Sequence, residues 1–158
     1  MKTRIWLAVI IVVGMIACGK DKFQTVPQLT LKSITPKAPE AVDLNKRTLR
    51  INIEYTDKEG DVSDSLFITR QRLNQKKPVT SAESPYDIPT FPNMDKGEFE
   101  ITLDYFTHLT FNLTPIPIPG SGTPAKNEID TLRLKIVAKD KAGNKSDTLF
   151  VDNVYVIR

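Results

Sequence analysis

From Leu49 to Tyr55 apolar residues take every second position, with Thr48, Arg50, Asn52 and Glu54 between them. A period of two sends alternate side chains to opposite faces, so this stretch reads as a strand with one buried and one wet face. The pattern recurs. Leu29 and Leu31 open a first strand that Pro36 and Pro39 end, and Ser65 to Leu73 forms a third. Phe99, Ile101, Leu103 and Tyr105 alternate with Glu100, Thr102 and Asp104. Leu109, Phe111 and Leu113 read as a further strand after a bend near Thr107-His108. Leu132, Leu134, Ile136 and Ala138 make another, and Thr148 to Ile157 the last. About seven strands with turn signals and no long helical pattern predict an all-β domain, a two-sheet Greek-key sandwich.

Two stretches interrupt the alternation. Residues 74–97 carry Pro78, Pro85, Pro89 and Pro92, and residues 114–127 carry Pro115, Pro117, Pro119 and Pro124. Proline cannot donate to a ladder, so these are loops or edge segments. Tyr86 and Phe91 in the first are either exposed aromatics or pins that hold the loop to the domain.

The chain also repeats itself. Thr48–Ile68 and Thr131–Val151 align without gaps at an offset of 83, with eleven of twenty-one positions identical. Each copy is strand, tight turn, strand. The turn core, Asp-Lys-x-Gly-Asp/Asn, suits a reversal: Asp bonds the backbone two residues on, and Gly accepts positive φ.

The N-terminus reads as an address. Lys2 and Arg4 precede an apolar run, Ile5–Ala17, that is shorter than the ~20 residues of a membrane span and has the length of a secretory core. It ends in Met15-Ile16-Ala17-Cys18-Gly19, which resembles the lipobox of bacterial lipoproteins. That resemblance implies acylation of Cys18, cleavage before it, and attachment to a membrane through lipid. The expected organisation is a signal peptide at 1–17, the lipidated Cys18 with a tether to 28, and one β-domain over 29–158. Removing Lys2 and Arg4 with the signal leaves 20 basic against 19 acidic side chains, a formal charge of +1. A chain so balanced, with basic residues evenly spread apart from Lys76-Lys77, has no footprint for nucleic acid.

Two further stretches carry a family resemblance. Ile136–Ser146 is similar to the last hairpin of bacterial immunoglobulin-like and fibronectin type III-like domains. Tyr55–Asp64 resembles the acidic turn, often D-x-D-G-D, of small Bacteroidota lipoproteins, with Lys58-Glu59 where a more Asp-rich version would stand. The resemblance implies an immunoglobulin-like β-sandwich in the cell envelope, at the outer membrane, facing either the periplasm or the outside. In that topology both repeat turns lie at one end of the domain. Asp57, Glu59 and Asp61 would then sit near Asp140 and Asn144, an oxygen-rich set that suits calcium; the alternative is that Asp57 and Asp140 only shape turns. The EF-hand pattern is not met, because Ile68 stands where its twelfth-position Glu would be. Asp64-Ser65-Leu66, Asp130-Thr131-Leu132 and Asp147-Thr148-Leu149 are similar to the Bacteroidota O-glycosylation acceptor, which makes Ser65, Thr131 and Thr148 candidate sites.

The single Cys, single His and single Trp exclude an internal disulfide and a His/Cys zinc centre, and Trp6 leaves with the signal. His108 stands without a nucleophile signature. The expected function is therefore a non-catalytic, lipid-anchored structural or protein-interaction module. It needs no cofactor, unless calcium binds, and its partner is an envelope protein. The alternative is a calcium- or glycan-binding surface lipoprotein that uses the loop end.

Overall fold

The computed structural model describes residues 26–74, 79–88 and 93–158. The expected signal peptide, Cys18, most of the tether, Pro78, Pro89, Phe91 and Pro92 lie outside the described residues. The fold is all-β, in two sheets. The first has the order β1 (Gln28–Thr35), β3 (Thr48–Thr56), β7 (Lys96–Asp104), all antiparallel. The second runs β2 (Ala41–Val42), β9 (Leu149–Val156), β8 (Asp130–Asp140), β4 (Val62–Arg72). Two short strands, β5 (Val79–Thr80) and β6 (Ser84–Asp87), pair with the outer edge of β4. Only β2 runs parallel to its neighbour, β9, among these pairs.

The alternation explains the core. Leu49, Ile51, Ile53 and Tyr55 of β3, Phe99, Ile101 and Leu103 of β7, and Leu132, Leu134, Ile136 and Ala138 of β8 are all buried. They join Leu66 and Ile68 of β4 and Val151, Val154 and Val156 of β9 in one apolar cluster drawn from both sheets. Burying a side chain of this size is worth ~1.5–3 kcal/mol, which makes this shared cluster the main stabilising feature. In β9 the inward phase jumps from Val151 to Val154. A register shift opposite Leu132–Leu134 absorbs the extra residue, with Asn153 at φ 59. Asn tolerates that left-handed backbone better than most residues.

The structure corrects two expectations. The described residues form nine strands, more than the seven expected, because β2, β5 and β6 are short edge segments. The Pro-rich stretch after Leu73 thus supplies a broken edge strand, and Pro85 faces Phe67 across the ladder where its missing N–H is harmless. Second, no strand forms over Leu109–Leu113. Tyr105–Leu109 is a single π-helical turn, followed by a reversal with Asn112 at φ 55. The cause is Asp104. Its carboxylate accepts from the Phe106 and Thr107 N–H groups, at 2.8 and 2.9 Å, and from the Thr107 hydroxyl. These bonds cap the turn, and beyond it the Thr110 and Leu113 N–H groups donate to Tyr105 O and Thr110 O, at 2.9 and 3.1 Å, so they take local partners instead of a ladder.

Candidate functional site

The register Val62↔Asp140 places both repeat turns at one end of the molecule. The two turns share a frame. Gly60 N–H donates to Asp57 O and Gly143 N–H to Asp140 O, each at 3.1 Å. Both glycines have positive φ, and both aspartates are buried. In each turn the residue after Gly donates its N–H to the aspartate side chain: Asp61 to Asp57 Oδ2 at 3.1 Å, Asn144 to Asp140 Oδ1 at 2.7 Å. The repeat is thus a repeat of turn chemistry.

The turns differ at that last residue. Asn144 Nδ2 donates to Asp140 Oδ2 at 2.8 Å, so both Asp140 oxygens have partners. Asp61 brings a second carboxyl instead of an amide. Asp57 Oδ1 and Asp61 Oδ1 are both buried without a hydrogen-bond partner. Burial is the main cause that pushes the Asp57 carboxyl above its ordinary value; the Asp61 N–H opposes the rise, and the Asp61 carboxyl adds to it. Of the five candidate calcium ligands, Asp57 pairs with Asp61 and Asp140 with Asn144, while Glu59 is exposed. Among the described residues no three His, Cys, Asp or Glu side chains are grouped to hold a metal ion.

The opposite end carries a charged layer that the sequence reading missed. On β4 the inward row runs Leu66, Ile68, Arg70, Arg72; on β8 it begins at Asp130. Asp130 and Arg72 are 0% and 3% exposed. Arg72 donates from Nε and Nη2 to Asp130 Oδ1, and from Nη1 to Thr114 O at 2.8 Å. Arg158 Nε donates to Asp130 Oδ2 at 2.7 Å. Such a network is costly to break, because removing one partner strands a buried charge. Arg70 Nη2 reaches Phe111 O at 2.9 Å, but Arg70 Nη1 and Arg158 Nη2 are buried without partners. The signal was present: cations at Arg70 and Arg72 continue the inward phase of Leu66 and Ile68.

Beside this layer a small cleft of about 50 Å³ opens between the sheets. Its lining includes Ile68, Arg70, Tyr86, Leu103, His108 and Phe111. Tyr86 does not project as a free platform. Its hydroxyl accepts from Thr102 N–H at 3.0 Å and donates to Thr102 O at 3.1 Å. It thereby caps the free edge of β7 and ties the two sheets together. His108 Nδ1 accepts from Asp104 N–H at 2.9 Å, which leaves the proton on Nε2. Phe111 is 59% exposed.

The candidate acceptors are placed as follows. Ser65 lies within β4, half-buried and paired with Lys139 and Asp87. Thr131 lies within β8, where its N–H donates to Asn74 Oδ1 at 2.9 Å, and the Asp130 before it is buried in the charged layer. Thr148 is exposed just before β9. Searches of the chain against protein-family models, curated proteins and solved structures return no match.

Proposed function

We propose that this chain is a lipid-anchored cell-envelope protein whose β-domain acts as a structural or protein-interaction module and catalyses no reaction. The observation that carries the reading is the sequence Ile5–Cys18, a short apolar run ending at the single Cys. Two or more acyl chains on that residue give stable anchoring where one gives only marginal binding. The domain is read as an immunoglobulin-like, Greek-key sandwich of the fibronectin type III kind. The sheet orders β1-β3-β7 and β9-β8-β4-β6 support this, since they correspond to strands A-B-E and G-F-C-C′ of that architecture.

The test is Cys18→Ala in the full-length chain expressed in its own envelope. Lipidation predicts an uncleaved, unacylated precursor of altered mobility that takes up no fatty-acid label; unchanged mobility and no label on the wild type would reject the anchor. Mild cross-linking of intact cells then asks for a partner. Protease shaving distinguishes a domain that faces outward from one in the periplasm.

A second reading, a calcium-binding surface lipoprotein, is favoured by one observation: the two unpartnered carboxylate oxygens of Asp57 and Asp61. With two carboxylates and backbone oxygens the site would fall in the weak class of extracellular calcium modules, Kd of about 10⁻⁴–10⁻³ M. Identical melting curves in calcium and in chelator would dismiss it.

A further inference from the structure

The charged layer holds three guanidinium groups, Arg70, Arg72 and Arg158, beside the single carboxylate of Asp130. That carboxylate is already spent on Arg72 and Arg158. Two buried N–H groups, on Arg70 Nη1 and Arg158 Nη2, have no acceptor. A buried carboxyl pair can relieve itself by keeping a proton; a guanidinium has no such route, because it stays charged throughout the accessible pH range. Arg70 is half-buried, its one hydrogen bond goes to the neutral Phe111 carbonyl oxygen, and no carboxylate pairs with it among the described residues, so its charge has no counter-ion within the layer. Burial, and then the neighbouring charge of Arg158, disfavour the charged form of Arg70 in the same sense.

The cleft beside Arg70 has the complementary chemistry. Ile68 and Leu103 give it apolar surface, and the Tyr86 and Phe111 rings line it as well. Its nitrogen donors are Arg70 and the Nε2–H of His108, while no carboxylate is among its lining residues. The Tyr86 hydroxyl is already engaged with Thr102, so that side chain offers its ring. A volume of about 50 Å³ takes roughly three to five heavy atoms, at ~10–15 Å³ for each water-sized centre, so a carboxylate with its first carbons fits inside and the rest of a short branched tail meets the exposed Phe111 ring at the mouth.

We propose that this cleft binds a small free monocarboxylate with a short apolar tail. Arg70 is the cationic partner, His108 Nε2–H the second donor, and Ile68, Leu103 and Phe111 the contact for the tail. The proposal stands independently of the anchor and of the turn end.

The experiment is a titration of the full-length chain in detergent micelles with isovalerate, followed by ¹⁵N–¹H signals of the Arg70 and His108 side chains. Isovaleramide, sulfate and a short peptide ending in a free carboxylate serve as separate arms, all at fixed ionic strength. Saturable shifts at both side chains with isovalerate, absent with isovaleramide, are expected. Arg70→Met, which keeps the volume and removes the stranded charge, should lower affinity about tenfold or more, with a melting temperature equal to or above that of the wild type. Phe111→Ala, at an exposed position, should weaken isovalerate severalfold without affecting any response to sulfate. Four results would overturn the proposal: shifts that never saturate, equal shifts with isovaleramide or sulfate, saturation that survives Arg70→Met, or binding of the peptide alone.

Discussion

The two repeat turns are nearly the same object built twice, and their one chemical difference is instructive. Both start on a buried Asp, reverse through Lys-x-Gly, and hold the following N–H on the Asp side chain. The second turn ends in Asn144, whose amide completes the Asp140 carboxylate. The first ends in Asp61, which can offer its neighbour only more negative charge. The surroundings differ too. A Cβ at Gly60 would come within 2.9 Å of the Met94 backbone, whereas one at Gly143 would meet only Lys139 Cε at 3.9 Å. One turn is closed on itself and open to solvent; the other is wedged against the chain before β7 with two oxygens unanswered. A turn motif therefore fixes the backbone path, while a single neighbouring residue decides whether its carboxylate is settled.

The largest expected contrast is steric. Gly60→Ala and Gly143→Ala both pay for positive φ, at roughly 1 kcal/mol each. Gly60→Ala adds overlap with a main chain that cannot yield easily, a further ~1–3 kcal/mol. Denaturant unfolding of the two variants should separate them by that amount, and equal losses would show that the wedge at Met94 gives way.

Exchange of the differing residues comes next. Asp61→Asn copies the settled turn into the first position and should raise stability at pH 7 by about 1 kcal/mol. Asn144→Asp should lower it by a similar amount. If neither moves the unfolding midpoint, the unpartnered oxygens carry no cost and the comparison fails.

The pH dependence of that exchange has a definite sign. The native Asp57 carboxyl titrates above its ordinary value of 3.8, so the folded state holds its proton more firmly than the unfolded state. Its contribution to stability is present at low pH and is lost as pH rises through the raised native value. The advantage of Asp61→Asn over the wild type should therefore shrink as pH falls from 7 toward the ordinary value of 3.8, as read from melting temperatures across that range. An advantage that stays constant would argue against a coupled carboxyl pair.

Calcium gives the smallest effect. At a concentration equal to Kd it would stabilise the wild type by about 0.4 kcal/mol. Asp61→Asn should abolish the gain and Asn144→Asp should not affect it. A gain that survives Asp61→Asn would place the ion elsewhere.

Much of the fold was legible because three of its long strands obey one rule over most of their length. From Leu49 to Tyr55 in β3, Phe99 to Leu103 in β7 and Leu132 to Ala138 in β8, the apolar residues at every second position are all buried. The turn cores were legible because Asp and Gly have local reasons to be there. What escaped depended on partners distant in sequence or on side chains overriding the pattern. Leu109, Phe111 and Leu113 alternate like a strand, yet the Thr110 and Leu113 N–H groups go to the local carbonyls of Tyr105 and Thr110, in a turn that the Asp104 carboxylate caps. The edge role of Ser84–Asp87 was hidden by Pro85, which weakens a strand signal without forbidding an edge. The inward phase of Arg70 and Arg72 was visible, but their environment depends on Asp130, Phe111 and Arg158, which no local window contains. At the turn end, the sequence placed Asp57 and Asp140 in equivalent turns without showing that Asp61 and Asn144 would have opposite effects on them.

The charged layer also bears on how the strands find their stagger. Alternation alone tolerates a slip of two residues between neighbours, because every side chain keeps its face. The cluster of Arg72, Asp130 and Arg158 does not. Sliding β4 two residues deeper along β8 would move Arg72 from its place opposite Leu132 to one opposite Leu134, and would leave Asp130 with Arg158 alone. An uncompensated cation would then lie among the aliphatic residues. The layer thus serves as a gauge mark at the end of an otherwise periodic surface, and selects one alignment from a set that the apolar pattern treats as equal.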